Sequence, residues 1–177
     1  MSIPPSVEPW LRGTHPEVPA VGRAVLHALE LALEDLNLWT VGLSDAEAHA
    51  QPLGLPSIAF QLKHIARSVD RLLTYAEGDQ LSAEQLSALK AEQTPSVSIE
   101  TEPLAVLLAE VEASLHAASG RIRALAAADP GTIRGVGRKL LPITLGGALV
   151  HVADHTQRHI GESISTCKVL KGLRAKP

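Results

Sequence analysis

Four long segments of the chain carry apolar residues at the spacing of an α-helix, and this pattern limits the fold more than any other feature. Within each segment, apolar residues recur every three or four positions, as they do on the buried face of a helix. The predicted helices run from about Val18 to Trp39, Ser57 to Glu77, Thr101 to Ala128 and Pro142 to Leu170. Their length and number predict an all-α fold, a four-helix bundle.

Regions rich in proline and glycine separate these helices. Residues 1–17 are predicted to form an irregular N-terminal arm, attached to the body by Trp10 and Leu11. Residues 42–56 are predicted to be a linker, and residues 132–141 a basic loop. No segment shows the period-two alternation of a strand, so we expect no sheet. The 177 residues are predicted to form a single domain.

Capping residues indicate where helices begin and end. Ser57 is the predicted N-cap of the second helix and Gly78 its predicted stop. Gly172 is the predicted stop of the fourth helix. Ser82 and Gln85 have the spacing of a capping box, which predicts a short additional helix that ends before Thr94.

Composition argues against several classes of function. The net charge is -3 with no basic block, and aromatic residues make up only 2%, so we expect no nucleic-acid partner. The single cysteine, Cys167, excludes an intramolecular disulfide and a cysteine-rich zinc site. The N-terminus lacks the pattern of a signal peptide, and no apolar run is long enough to cross a bilayer. These features predict a cytoplasmic protein that is not associated with membranes.

Three histidines, His151, His155 and His159, lie four residues apart in the predicted fourth helix. Residues at this spacing share a helix face, and such a histidine pair can chelate a divalent metal. All three cannot bind one ion, because eight residues rise about 12 Å along a helix, whereas zinc–nitrogen bonds are about 2.0–2.1 Å long. At most two are therefore ligands, and a further ligand must come from another helix. His64, in the middle of the second helix among apolar neighbours, is the best candidate.

Packing and hydrogen bonding are the alternative roles for every one of these histidines. A lone histidine at a helix interface is more often a packing residue than a ligand, so the spacing alone leaves metal binding open. The remaining four are interpreted as surface or packing residues: His15, His27, His49 and His116.

Two stretches of the sequence resemble the DinB-like family of bacterial metal-binding four-helix bundles. One runs from Phe60 to Tyr75, and the other reads His151-Val-Ala-Asp-His-Thr-Gln-Arg-His-Ile-Gly-Glu162. The family pattern in the second stretch is a histidine, three residues, and then His-Arg-Gly-Gln.

The resemblance implies that His64, His155 and His159 are the metal ligands. The chain departs from the family pattern at Ile160 and Glu162, where arginine and glutamine are common. A carboxylate behind a ligand histidine often orients it, so Glu162 is a candidate for that role.

The resemblance also implies a function. Family members include thiol-dependent transferases and isomerases, so we expect a divalent metal, zinc or nickel with iron also compatible, and a small-molecule thiol as partner. No residue beyond the metal ligands is assigned a catalytic role. One alternative is a metal-binding or stress-response protein without catalysis, which forms a homodimer through an exposed helix face. Another is a purely structural bundle.

Overall fold

The computed structural model describes residues 7–93 and 102–174, and these are mostly helical. The helices of the described residues are α1 (Ala20–Trp39), α2 (Asp45–His49), α3 (Ile58–Glu77), α4 (Ala83–Gln93), α5 (Leu104–Ala126) and α6 (Leu145–Arg174). The strands are β1 (Ile133–Val136) and β2 (Leu141–Thr144). The predicted end of the short helix before Thr94 and the predicted start near Thr101 lie outside the described residues, as do the first residues of the arm.

The four long helices, α1, α3, α5 and α6, enclose one hydrophobic core. Helix α1 packs against α5 and α6, and α3 packs against the same two, so α3 and α6 face each other directly. Leu26, Leu62, Leu115 and Leu149, one from each long helix, are almost completely buried. Burying each such side chain stabilises the fold by about 1.5–3 kcal/mol. None of the described helices has the length and apolarity needed to cross a bilayer.

Helix α3 has the caps that the sequence predicts. The Ser57 side chain accepts a hydrogen bond of 3.2 Å from the backbone N–H of Phe60. Gly78 ends the helix in the left-handed conformation, with φ of 97°, which glycine adopts without strain. The predicted capping box of Ser82 and Gln85 is also present at the start of α4.

The prediction that residues 132–141 form a loop, with no sheet in the chain, is wrong. Strands β1 and β2 pair antiparallel, with Arg134 opposite Ile143, and α6 begins at Leu145 rather than near Pro142. Each strand has four residues, which is too short for a period-two pattern to be recognised. Arg134 also donates a hydrogen bond of 2.8 Å to the carbonyl of Ala76 near the end of α3, so the basic segment packs on the body.

The predicted linker, residues 42–56, contains helix α2. Ser44 and Glu47 form a reciprocal capping box at its start, and its end is followed by a 3₁₀ turn at Pro52–Gly54. The capping-box spacing is visible in the sequence, but five helical residues give no apolar periodicity to predict.

Gly172 does not end the last helix, since α6 continues to Arg174. A glycine inside a helix costs about 1 kcal/mol relative to alanine. Contacts on both sides of Gly172 offset this cost. Lys171 donates to the carbonyl of Trp39 at 2.7 Å, and Arg174 binds the carboxylate of Glu47.

The N-terminal arm is held by polar contacts and not by Trp10 and Leu11, which are 62% and 56% exposed. Arg12 forms a two-point ion pair with Glu34 of α1, at 2.5 and 2.8 Å. The prediction of apolar attachment through these two side chains is therefore wrong.

Candidate metal centre

The structure brings together the three histidines that the sequence selects, His64 of α3 with His155 and His159 of α6. Their ring centroids are 5.1 Å apart for His64 and His155, 4.4 Å for His64 and His159, and 4.6 Å for His155 and His159. One ring nitrogen from each lies within 4.8 Å of the others. This spacing brings three imidazoles close to one point between two packed helices.

Two of the three rings are oriented by hydrogen bonds at Nδ1. Nδ1 of His64 lies 2.8 Å from Oε2 of Glu92, on α4. Nδ1 of His159 lies 2.7 Å from Oε1 of Gln61 and 3.2 Å from Oε2 of Glu162. Because both Nδ1 atoms are engaged in this way, Nε2 is the nitrogen of each ring left to face an ion.

His155 provides a test of whether the cluster suits a cation. Its Nδ1 is buried and has no hydrogen-bond partner among the described residues. A buried nitrogen without a partner is costly, and an ion coordinated by that nitrogen would remove the cost. Neutral imidazoles are also common ligands of divalent transition metals. The donor set and this orphaned atom therefore both fit a divalent cation.

The environment keeps the α6 imidazoles neutral. Burial and, to a smaller extent, the neighbouring His159 and His64 together lower the pKa of His155 to about 4. Burial likewise lowers the pKa of His159, against the opposing effect of Glu162. Both rings are thus unprotonated at neutral pH, which is the form that binds a metal.

Glu92 is the buried acidic group beside this cluster. Burial alone would raise the pKa of its carboxyl, but hydrogen bonds from His64 and Arg71 outweigh that effect and lower the pKa to about 2. The Glu92 side chain is only 7% exposed, and Arg71 donates to both of its oxygens. It is therefore a carboxylate at neutral pH, with its charge compensated by Arg71.

His151 lies outside the cluster, one turn earlier on α6. Its Nδ1 is 3.1 Å from the carboxylate of Asp154, and its side chain is 42% exposed. Of the three histidines spaced along this helix, the structure thus brings only His155 and His159 to His64.

A second group of potential ligands, His15, His27 and Glu30, joins the arm to α1. His15 is bonded at both ring nitrogens, through Nε2 to Glu30 at 2.5 Å and through Nδ1 to Arg123 at 2.6 Å. Nε2 of His27 is bonded to Thr14 at 3.0 Å. A guanidinium in contact with His15 would repel a dication, so we interpret this group as an anchor for the arm.

A cleft of about 520 Å³ lies between the arm and α1, away from the three histidines. Gln157 of α6 and His27 of α1 line it. Gln157 donates to the carbonyl of Ala28 at 2.7 Å, and so faces α1, whereas the neighbouring His155 and His159 face α3. None of the three clustered histidines therefore lines this cleft.

The sequence does not single out Gln61 and Glu92, although both contact a histidine of the cluster. Gln61 had a recognisable signal, because it is a polar residue between the apolar Ile58, Leu62 and Ile65 on the buried side of α3. Glu92 had none, since its contact with His64 depends on how α4 folds back onto α3.

Comparison with protein families adds an independent finding. The model of the family described as the DinB superfamily matches residues 28–163, a range that includes all three clustered histidines. A search of curated proteins found no match.

Proposed function

The chain belongs to the DinB superfamily, and from this premise we propose that it is a four-helix bundle that binds one divalent metal through His64, His155 and His159. The bundle would consist of the four long helices α1, α3, α5 and α6. The observation that carries the proposal is the convergence of three rings from two helices, with one ring nitrogen from each within 4.8 Å of the others.

The polar neighbours of the rings support this proposal. Nδ1 of His64 and Nδ1 of His159 bind protein acceptors, and the buried Nδ1 of His155 has no hydrogen-bond partner among the described residues. Metal-binding histidines are usually oriented by contacts like those of His64 and His159, at the nitrogen that does not bind the metal. The Nδ1 of His155 could itself bind the ion. Zinc or nickel is the proposed ion, and iron is also compatible with three nitrogen ligands.

We propose a metal-dependent reaction of a low-molecular-weight thiol as the activity. Three protein ligands leave coordination positions open, where a bound cation lowers the pKa of a thiol or of water. Arg67 and Arg158 lie beside the histidines, at 4.0 Å from Glu92 and 3.9 Å from Asp154, and each could hold an anionic group of such a thiol. Arg67 follows His64 by three residues on α3 and is 34% exposed at its side chain, and Arg158 precedes His159 and is 58% exposed.

A metal-binding protein without catalysis is the second candidate. It is favoured by the cover over the cluster, because the side chains of His64 and His159 are only 19% and 15% exposed. Restricted access suits an ion that is held or sensed more than one that turns over a bulky substrate.

Two measurements test these proposals in order. Untagged protein is stripped of metal and titrated with zinc and with nickel, and we expect one equivalent to bind. Failure of both ions to bind would contradict the proposed site. Metal-loaded protein is then assayed with several cellular thiols and a panel of electrophiles. Turnover that needs both metal and thiol supports the enzyme, and stoichiometric binding without turnover supports the second candidate.

A further inference from the structure

The carboxylate of Glu92 joins α4 to three residues of α3: His64, Arg71 and, at 4.0 Å, Arg67. It lies near the end of α4 with its side chain only 7% exposed. Nδ1 of His64 lies 2.8 Å from Oε2, and Arg71 donates to Oε1 at 2.8 Å and to Oε2 at 3.1 Å. The ion pairs with the two arginines anchor α4, and the contact with His64 links this anchor to the candidate metal cluster.

Helix α4 buries little of its surface among the described residues. None of residues 83–92 is fully buried, and Leu86 is 42% exposed. At the start of the helix, the amide of Gln85 donates to Asp70 at 2.6 Å and to Thr74 at 2.9 Å. An element with little apolar burial opens at low free-energy cost. The strength of the contact with His64 therefore affects how firmly α4 stays on α3.

Glu92 also determines which nitrogen of His64 carries the proton. An ionised carboxylate only accepts hydrogen bonds, so Nδ1 of His64 is the donor. A neutral imidazole has one N–H, and Nε2 therefore keeps the lone pair. A cation binds through such a lone pair. The His64 ring that offers it has its centroid 4.4 Å from that of His159, so both rings can contact one ion.

We propose that Glu92 is a positioning residue for the metal centre and that it couples metal binding at His64 to the docking of α4 on α3. The inference rests on the metal site proposed above. A cation at Nε2 stabilises the Nδ1–H form of His64, which is the form that donates to Glu92. Docking of α4 and binding of metal therefore favour each other, and thermodynamic linkage makes the effect reciprocal.

The test uses the full, untagged chain and two readouts. The first is zinc affinity by competition with a chelating dye, and the second is hydrogen exchange of residues 83–93 with and without zinc. We expect Glu92→Ala to lower zinc affinity by about 10–100-fold, as loss of such a carboxylate does at other sites. We expect zinc to slow exchange of α4 in the wild type and to have no effect on it in Glu92→Ala.

Gln85→Ala is the matched control, because it removes the anchor at the opposite end of α4 without touching His64. It should loosen α4 but change zinc affinity much less than Glu92→Ala does. Nitrogen-15 NMR of the imidazoles measures the tautomer of His64, which would not change if Glu92 only anchored α4. His64 should be the Nδ1–H tautomer in the metal-free wild type and in Gln85→Ala, and should lose this preference in Glu92→Ala and Glu92→Gln.

The outcomes separate this inference from the proposed function. Normal zinc affinity in Glu92→Ala, or α4 exchange that zinc does not change, would overturn the coupling and leave the three-histidine site intact. If the wild type binds neither zinc nor nickel, both the site and the coupling are overturned. Equal losses of affinity in Gln85→Ala and Glu92→Ala would reduce Glu92 to a structural anchor of α4.

Discussion

Gln61 and His159 are joined across the interface of α3 and α6 by a hydrogen bond of 2.7 Å between Oε1 and Nδ1. The amide of Gln61 also donates to Oε2 of Glu162 at 2.6 Å. One side chain thus accepts from a histidine of the cluster and donates to the carboxylate behind it. Because Gln61 is only 1% exposed, no water can readily replace it.

Replacing Gln61 by leucine should weaken metal binding by about 10–100-fold, because His159 loses the nearer of the two acceptors that orient its ring. Gln157→Leu is the matched control, since that glutamine of α6 binds the carbonyl of Ala28 and faces α1. Zinc competition titrations on the two variants check the prediction. Equal affinities would show that the orientation of His159 does not depend on Gln61.

His155→Ala should remove metal binding, whereas His151→Ala should retain one equivalent. His155 lies in the cluster, but His151 pairs with Asp154 on the solvent side of the same helix. Elemental analysis after zinc loading, with circular dichroism as a check on folding, measures the difference. Loss of metal in His151→Ala alone would contradict the proposed ligand set.

Much of this fold could be predicted because its helices are long. In α3, for example, apolar spacing, Ser57 and Gly78 all indicate the same boundaries that the structure has. The antiparallel pair of β1 and β2, and helix α2, could not be predicted, since four or five residues are too few to establish a period of apolar residues. Their structure depends on contacts with distant residues, such as that of Arg134 with Ala76.

Part of the candidate site could likewise be predicted from the sequence, and part could not. His155 and His159 could be related by helix geometry alone, because four residues separate them on one face. His64 could be selected from its place among apolar neighbours in the second helix, but the choice of His155 and His159 over His151 needed the family resemblance. The convergence of all three depends on the packing of α3 on α6. Neither helix geometry nor the family resemblance could predict the contact of Glu92 with His64, since it depends on how α4 folds back onto α3.

Replacing Gly22 or Gly120 by alanine should change the stability of the fold in opposite directions. A Cβ at Gly22 would lie 2.4 Å from Cβ of Ala126, so α1 and α5 must move apart. Such overpacking typically costs about 1–3 kcal/mol. A Cβ at Gly120 meets nothing within 4 Å, so Gly120→Ala should stabilise α5 by about 0.5–1 kcal/mol. Urea denaturation of both variants checks this, and a stable Gly22→Ala would mean that the helices separate easily.

Cys167 should be inert in the folded protein. Its side chain is completely buried, and burial raises the pKa of the thiol, with a smaller opposing effect from Lys171. The thiolate is the reactive form, so an aromatic disulfide reagent should label Cys167 only after denaturation. Rapid labelling of native protein would show that α6 opens around this residue.

The ion pair of Glu47 and Arg174 should make part of the stability depend on acid pH. Hydrogen bonds from Arg174, and then from Ser44, lower the pKa of the Glu47 carboxyl from 4.5 to about 2. A carboxyl whose pKa is lowered by folding stabilises the folded state above its unfolded pKa. That contribution is then lost as the pH falls from about 4.5 towards 2. The pair holds the end of α6 against the start of α2, so its loss should loosen both.

Comparison of the wild type with Glu47→Gln isolates this effect from that of other carboxyl groups. The variant keeps the size of the side chain and an acceptor for Ser44, but it cannot pair with Arg174 as a carboxylate. The wild type should therefore be more stable than Glu47→Gln at pH 6, and the difference should shrink steadily as the pH falls from 4.5 to 3. Urea denaturation across this range measures the difference. A gap that stays constant with pH would mean that the Glu47 carboxylate stabilises the fold by its shape and not by its charge.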